Sequence, residues 1–348
     1  MSRQLVIKSH QGENSKCRDS VRLGVVRETP GGADPPRGED PAAGRTPSAE
    51  LAGRSRDRDV WVRRGFAVAG MVSLVAMAFI ILFLFKEGLG LFKDHSVKDF
   101  LLGQYWYPTD EDNPAFGIWP LIAGSVVVTG LSSLIAVPLG VGTALYLSEV
   151  ASHRMREWFK PVVELLAGLP SVVLGFIGMV VIAPFMQEVL DIPTGLNLLN
   201  ASVMLALMAV PTIASISEDA LAMVPRDQRE ASLALGATRW ETLMRVLLPG
   251  ALSGIGTAVI LGMSRAMGET MVVLMVAGGA AQVPGSLFDS VRPMPATIAA
   301  EMGETPFGSD HYHALFAIGI VLFLLTLGFN LLSAWLAARF QQRGTSAL

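Results

Sequence analysis

The amino-acid sequence predicts an all-α membrane protein with about six transmembrane helices. Three observations lead there. Of 348 residues, 51% are hydrophobic and only 16% charged, whereas roughly a quarter of an average soluble domain is charged. Apolar runs recur at about the 20 residues that a helix needs to cross a 30 Å hydrocarbon layer. Lys and Arg gather in every second connecting segment, the alternation that the membrane's charge bias imposes. The net charge of −3 offers no basic field for nucleic acid.

Residues 1–58 come first, and "RETPGGADPPRGEDPAAGRTPSAE" within them is rich in Pro, Gly and charge without apolar periodicity. The expectation is a disordered cytoplasmic tail. The apolar run in "MSRQLVIKSH" is too short for a signal-peptide core, so the first membrane helix is expected to serve as its own insertion signal. Cys17, the single cysteine, cannot form an internal disulfide and stands in no metal-binding spacing.

Residues 59–114 hold the first span, "GFAVAGMVSLVAMAFIILFLF" (65–85), and an outer loop. A core over 115–338 carries the rest: spans at 118–148, 161–185, 198–216, 251–277 and 314–338, with a cytoplasmic loop at 217–250. Residues 339–348 form a short C-terminal tail. The second run exceeds one crossing and contains Pro138, so it tilts, kinks or extends past the bilayer. Pro170 and Pro211 also interrupt spans and read as static kinks or hinges. Glu164, just past Lys160, reads as interfacial.

Orientation follows from the cations. Arg54, Arg56, Arg58, Arg63 and Arg64 precede the first span; Arg154, Arg156 and Lys160 follow the second; Arg226, Arg229, Arg239 and Arg245 follow the fourth; Arg339 and Arg343 follow the last. Both termini are therefore expected in the cytoplasm.

Catalytic signatures are missing: the sequence has no HExxH, no GxSxG and no GxxxxGK[ST] loop for nucleotide phosphates. "GMSRA" around Ser264 lacks the second glycine of a nucleophile elbow. His311 and His313 lie beside Asp310, but two imidazoles without a third ligand read as a solvated loop. The expectation is that the chain is not an enzyme and has no metal or cofactor of its own; if it moves something uphill, the energy comes from another subunit or an ion gradient.

The cytoplasmic loop is built from "SEDALAMVPRDQREASLALGATRWETLMRVLLPG". Apolar residues at helical intervals flank Pro225-Arg226-Asp227, which reads as the turn between two short helices, with Asp227 as a cap for the second. Gly236 ends that helix, and Pro249 marks the start of the fifth span. Such a hairpin either docks into a groove on a soluble partner or lies on its own membrane domain.

Glu230-Ala231-Ser232, three residues, Gly236, nine residues, Val246, one residue, Leu248-Pro249 resembles the EAA loop of ABC-importer permeases. Ser232 replaces Ala and Val246 replaces Ile. The resemblance implies a type I (MetI-like) permease core in which Arg226, Asp227, Glu230, Ala231, Ser232, Gly236, Leu248 and Pro249 couple the spans to a separate ATPase. "VELLAGLPSVVLGFIGMVVIAP", "SRAMGETMVVLMVAG", "PATIAAEMGE" and "HYHALFAIGIVLFLLTLGFNLL" further resemble phosphate-specific permeases of the PstC type. That resemblance implies inorganic phosphate as cargo and a second, PstA-type permease as partner. It also implies two copies of an ATP-binding subunit carrying ATP and magnesium, an extracytoplasmic phosphate-binding protein, and a bacterial inner-membrane location.

Arg265 falls near the middle of the fifth apolar run, where a charge costs about 2.5–3.5 kcal/mol on insertion scales. Gly254, Ala258, Gly262, Arg265 and Glu269 follow at intervals of four, four, three and four, and so share one helix face that small residues open to close packing. Arg265 and Glu269 are spaced to touch. Two readings stand: a structural ion pair, or an anion path in which the guanidinium takes phosphate oxygens, with Thr270 beside it. In the second, Glu269 tethers Arg265 between passages or accepts the proton of hydrogen phosphate. An ion-coupled secondary carrier would use the same charges, but it leaves the hairpin unexplained. An ABC permease for another oxyanion is the remaining alternative.

Overall fold

The structure, a computed structural model, describes residues 47–110 and 112–345. Six of its helical stretches are long and apolar enough to cross a membrane: Val62–Lys93, Trp119–Val150, Ser171–Leu190, Leu198–Ala222, Arg239–Met267 and Asp310–Leu332. Cys17 and the Pro/Gly-rich stretch before residue 47 lie outside the described residues.

Helix α1 (Pro47–Gly88) starts inside the segment expected to lack structure, so residues 47–58 are helical. Pro47 suits a first helical turn, and Ala, Glu, Leu and Arg prolong the helix of the following span toward the N-terminus. A 3₁₀ turn (Leu89–Lys93), α2 (Val97–Leu102) and a two-stranded hairpin follow, β1 (Trp106–Tyr107) antiparallel to β2 (Ala115–Phe116). These pieces share one apolar cluster. Phe100, Trp106, Phe116, Ile118 and Leu121 pack there with Met294, Leu315 and Ile318.

Helix α3 (Trp119–Leu145) continues through Pro138 and ends in a π-helical turn, Tyr146–Val150. The third span differs from expectation. Residues 153–168 form a separate helix, α4 (His153–Gly168), and the span itself begins at α5 (Ser171–Ile177) and continues through a π turn (Gly178–Ile182) into α6 (Ala183–Leu190). Pro170 explains the break. Its ring disfavours helical geometry at the preceding residue, and Leu169 takes ψ 133°. The apolar count alone had joined two helices.

Helix α7 (Leu198–Ala222) is opened by Asn197, whose side chain accepts the Asn200 N–H at 2.9 Å. It continues through Pro211 beyond the expected end of its span. The short helix expected before Pro225 is the end of α7, so the hairpin comprises α8 (Arg226–Ala234) and α9 (Arg239–Thr242), and a π turn (Leu243–Leu247) leads into α10 (Leu248–Met267) without a break. The fifth span thus starts at Arg239 and stops at Met267, ten residues short of the predicted end. Then come α11 (Met271–Val276), α12 (Met294–Glu301) and α13 (Asp310–Thr345). Helix α13 absorbs much of the expected C-terminal tail.

Helices α3 and α7 are the most enclosed spans, and α10 lies against both. Lipid tails are as apolar as the side chains, so close packing rather than water release drives this association. A Cβ at Gly262 would sit 2.5 Å from Ile213 Cγ1, and one at Gly254 would collide with Ala220. The predicted stripe of small residues is therefore the α10–α7 contact, with Ala258 fully buried between those two glycines.

Candidate functional site

The helix that carries Arg265 ends two residues later. Gly268 adopts φ −90°, ψ 0° and closes α10, as a residue with a high conformational cost in helices readily does. Glu269 is consequently not one helical turn above Arg265. Its carboxylate accepts the N–H of Met271 at 3.2 Å and of Val272 at 3.5 Å, capping α11 in the manner of an N-terminal acidic residue. Thr270 Oγ1 donates to the Gly268 carbonyl at 3.4 Å. This corrects the expectation of touching charges: no ion pair joins Arg265 and Glu269. The guanidinium is exposed and has no hydrogen-bond or salt-bridge partner among the described residues. Beside it, Ser264 Oγ donates to Asn330 Oδ1 of α13. That polar neighbour had no signal in the sequence beyond a lone Asn in an apolar run.

At the hairpin, Asp227 lies within the first turn of α8 and Pro225 is the capping residue, so Asp227 is not the cap. Gly236 takes φ +86° just past the helix, the left-handed geometry expected of the glycine that closes it. Thr238 and Glu241 form a reciprocal capping box on α9, with N–H to side-chain distances of 3.2 and 2.9 Å. Helix α8 buries no residue. Glu230 and Ala231 face outward, and Met223, Leu233, Leu235 and Trp240 expose large apolar surfaces around it. Ser232 departs from the family pattern, and its hydroxyl lies 2.9 Å from that of Thr242. Leu248 packs on the cluster of Ala144, Leu221, Leu243 and Leu247, while Pro249 stands exposed in the first turn of α10. Those last two residues belong to the span rather than to the docking face.

Carboxylates at this same end were missed by sequence reasoning. Glu218 of α7, its side chain 4% exposed, receives Arg156 Nε at 3.1 Å and Nη2 at 2.5 Å, with Lys160 Nζ at 3.5 Å. Glu149, in the π turn after α3, pairs with Arg229 of α8. The available signal was an acid near the end of each span facing an Arg-rich segment. Glu164 lies with Lys160, Ser215 and Glu218 around a small gap beside α7.

At the opposite end, a cavity of about 540 Å³ is lined by residues including Trp106, Gln282, Arg292, Glu301, Glu304 and His311. Glu301 holds it together, accepting Trp106 Nε1 at 3.1 Å and Arg292 Nη1 at 2.6 Å and meeting His311 Nε2 at 2.8 Å. His313 turns instead to the Glu87 carbonyl at 2.9 Å. The two histidines therefore act separately, and no cluster of three potential metal ligands occurs among the described residues.

Residues 136–343 match the family described as binding-protein-dependent transport system inner membrane component. A Bacillus subtilis (strain 168) protein called probable ABC transporter permease protein YqgH is 42% identical over 271 residues, spanning 77% of this chain and 87% of its own length. The phosphate transport system permease protein PstC of Mesorhizobium japonicum is 35% identical over 263 residues, covering 70% of this chain and 79% of that one. Its Haemophilus influenzae namesake is 32% identical over 262 residues, 70% of this chain and 82% of that one. Among solved structures, one chain of the bacterial alginate ABC transporter in complex with its periplasmic protein superposes with a TM-score of 0.54 at 18% identity, over 80% of this chain and 96% of that one. That likeness concerns the fold.

Proposed function

Because the chain belongs to the family of binding-protein-dependent transport system inner membrane components, the permease subunits of ABC importers, we propose that it is the PstC-type permease of an ATP-driven inorganic phosphate importer. The names of relatives at 32–35% identity support phosphate as the cargo. It forms half of the translocation path and pairs with a second, PstA-type permease. The hairpin and both termini lie on the cytoplasmic side, where the cations cluster. A pair of ATP-binding subunits docks there and carries the ATP and magnesium, and a phosphate-binding protein delivers cargo at the cavity end.

One observation carries the cargo-handling reading. Arg265 is an unneutralised guanidinium at the end of an apolar helix, because Glu269 is occupied with the amides of α11. An intramembrane charge without a partner marks a polar path, and guanidinium offers phosphate a planar set of donors at every relevant pH. Glu269 acts by holding the break open so that Arg265 stays available, and Thr270 lines the same turn. For coupling, α8 presents Arg226, Asp227, Glu230 and Ala231 outward amid exposed Leu233, Leu235 and Trp240. This polar and apolar mixture suits a groove on a soluble ATPase. ATP-driven closure below moves the hairpin, and the path alternates between its two openings.

The test is labelled-phosphate uptake in cells that lack their own phosphate permease and receive this chain with its partners. The expected result is saturable uptake, lost in Arg265→Ala although the complex still assembles. Unchanged uptake in Arg265→Ala would remove Arg265 from the path, and uptake of another oxyanion in place of phosphate would change the cargo.

A further inference from the structure

Helix α8 is tied to the membrane body by side chains at two positions. Along Arg226–Ala234, Arg229 and Ser232 are the half-covered residues and the other seven are exposed. Standing three apart, the two share one face of the helix. Arg229 reaches Glu149, and Ser232 reaches Thr242 at 2.9 Å. The chain itself holds α8 only through the short links around Met223–Pro225 and Leu235–Thr238, and the second of these contains Gly236 in left-handed geometry. Those links set where α8 hangs, not how it is turned. The two side-chain contacts set its orientation.

Both contacts end on the same kind of structure. Glu149 lies inside the π turn Tyr146–Val150 that closes the second span, and Thr242 directly precedes the π turn Leu243–Leu247 near the start of the fifth. A π turn carries one extra residue and a poorer hydrogen-bond ladder than an α-helix, and such turns recur at functional positions. The Glu149 side chain is 17% exposed and that of Arg229 42%, so the acid end of the pair is largely covered while the guanidinium is still partly screened by solvent. Four residues further on, α4 begins, and its Arg156 and Lys160 grip Glu218 of α7.

We propose that the Arg229–Glu149 pair is the strut that carries the motion of the coupling helix into the second span, with Glu149 as a positioning residue for transport. This rests on the importer reading above. Without the strut, α8 follows its ATPase partner while the second span lags, and hydrolysis is spent without moving cargo.

The test uses the assembled complex in proteoliposomes with Glu149→Gln, which keeps the shape and removes the charge, and the exchange Glu149→Arg/Arg229→Glu. Phosphate imported per ATP hydrolysed is read beside the distance between spin labels at exposed Val150 and Ala234, with Cys17→Ser as background. In the wild type the label distance stays narrow with and without nucleotide. Glu149→Gln broadens it and lowers the import ratio at least about fivefold, the lower end of typical coupling energies, and the exchange restores both. A Glu149→Gln complex with wild-type distance and ratio overturns the proposal, as does an exchange that restores neither. Should Glu149→Gln fail to assemble, Glu149→Asp, which keeps the charge but shortens its reach, is put to the same two readouts and decides in the same way. The label distance does not depend on cargo, so an absence of phosphate uptake in the wild type would count against the importer reading and leave the strut to be judged by distance.

Discussion

Glu218 allows an electrostatic argument to be worked in both directions. Its side chain is 4% exposed, whereas those of Arg156 and Lys160 are 46% and 41% exposed. Removing the acid in Glu218→Gln leaves two cations that can turn toward water, while the amide keeps an oxygen for Arg156. A charged hydrogen bond is worth about 1.5–3 kcal/mol net, and discounting for the solvated partners brings the expected loss to about 1 kcal/mol. Removing the cations in Arg156→Gln/Lys160→Gln strands a buried carboxylate. Breaking a buried pair in that way costs about 3–5 kcal/mol, the lower figure applying because the partners were half in water. The double variant is therefore expected to be about 2 kcal/mol less stable than Glu218→Gln, roughly a 30-fold difference in the unfolding constant at 1.4 kcal/mol per decade. Adding Glu218→Gln to the double variant should recover most of that loss. Reversible unfolding in mixed micelles at pH 7, followed through a label on α4, measures all three. A Glu218→Gln loss equal to that of the double variant would refute the reasoning, since it would mean that the stranded carboxylate is not the costly species.

Two further outcomes follow from packing and backbone geometry. Gly262→Leu puts a side chain where Ile213 already stands 2.5 Å from a bare Cβ; it should separate α10 from α7 at about 1–3 kcal/mol, read as lower yield of assembled complex and a lower melting temperature. Gly236→Val forces a β-branched residue to φ +86°, at about 1–2 kcal/mol, and should speed proteolytic cutting within 233–240 while the spans stay protected.

The number of spans was legible because hydropathy reports length and charge, the two quantities that the bilayer reads. Their boundaries were less so. Pro170 cut off α4, and Gly268 ended α10, although both lie in runs whose apolar count continues unbroken; a local backbone preference outweighed the composition there. For the same reason the four-residue spacing of Arg265 and Glu269 misled. It presumes a helix through Gly268, and the acid found amides to cap instead. Gly236 closes α8 at a left-handed position as its place in the EAA spacing required, but the turn at Pro225 joins the end of α7 to α8 and not two short helices. Asp227 was misread because Pro225 already supplies the extended residue before the helix. Glu149, Glu218, Glu301 and Asn330 stayed hidden because each has a partner far along the chain, Arg229, Arg156, Trp106 and Ser264 respectively. Pairing at such separation is a property of the fold and leaves no local pattern.

The central claim is that movement of phosphate through this chain is driven by ATP on a separate subunit and transmitted through α8. The direct measurement is phosphate uptake by proteoliposomes holding the full complex, as wild type and as Glu230→Arg, with ATP supplied at the hairpin side or with a proton gradient alone. The account predicts uptake with ATP, none with the gradient alone, and loss of ATP-driven uptake in Glu230→Arg. Uptake sustained by the gradient without ATP, and indifferent to Glu230→Arg, would contradict it and make the chain an ion-coupled carrier.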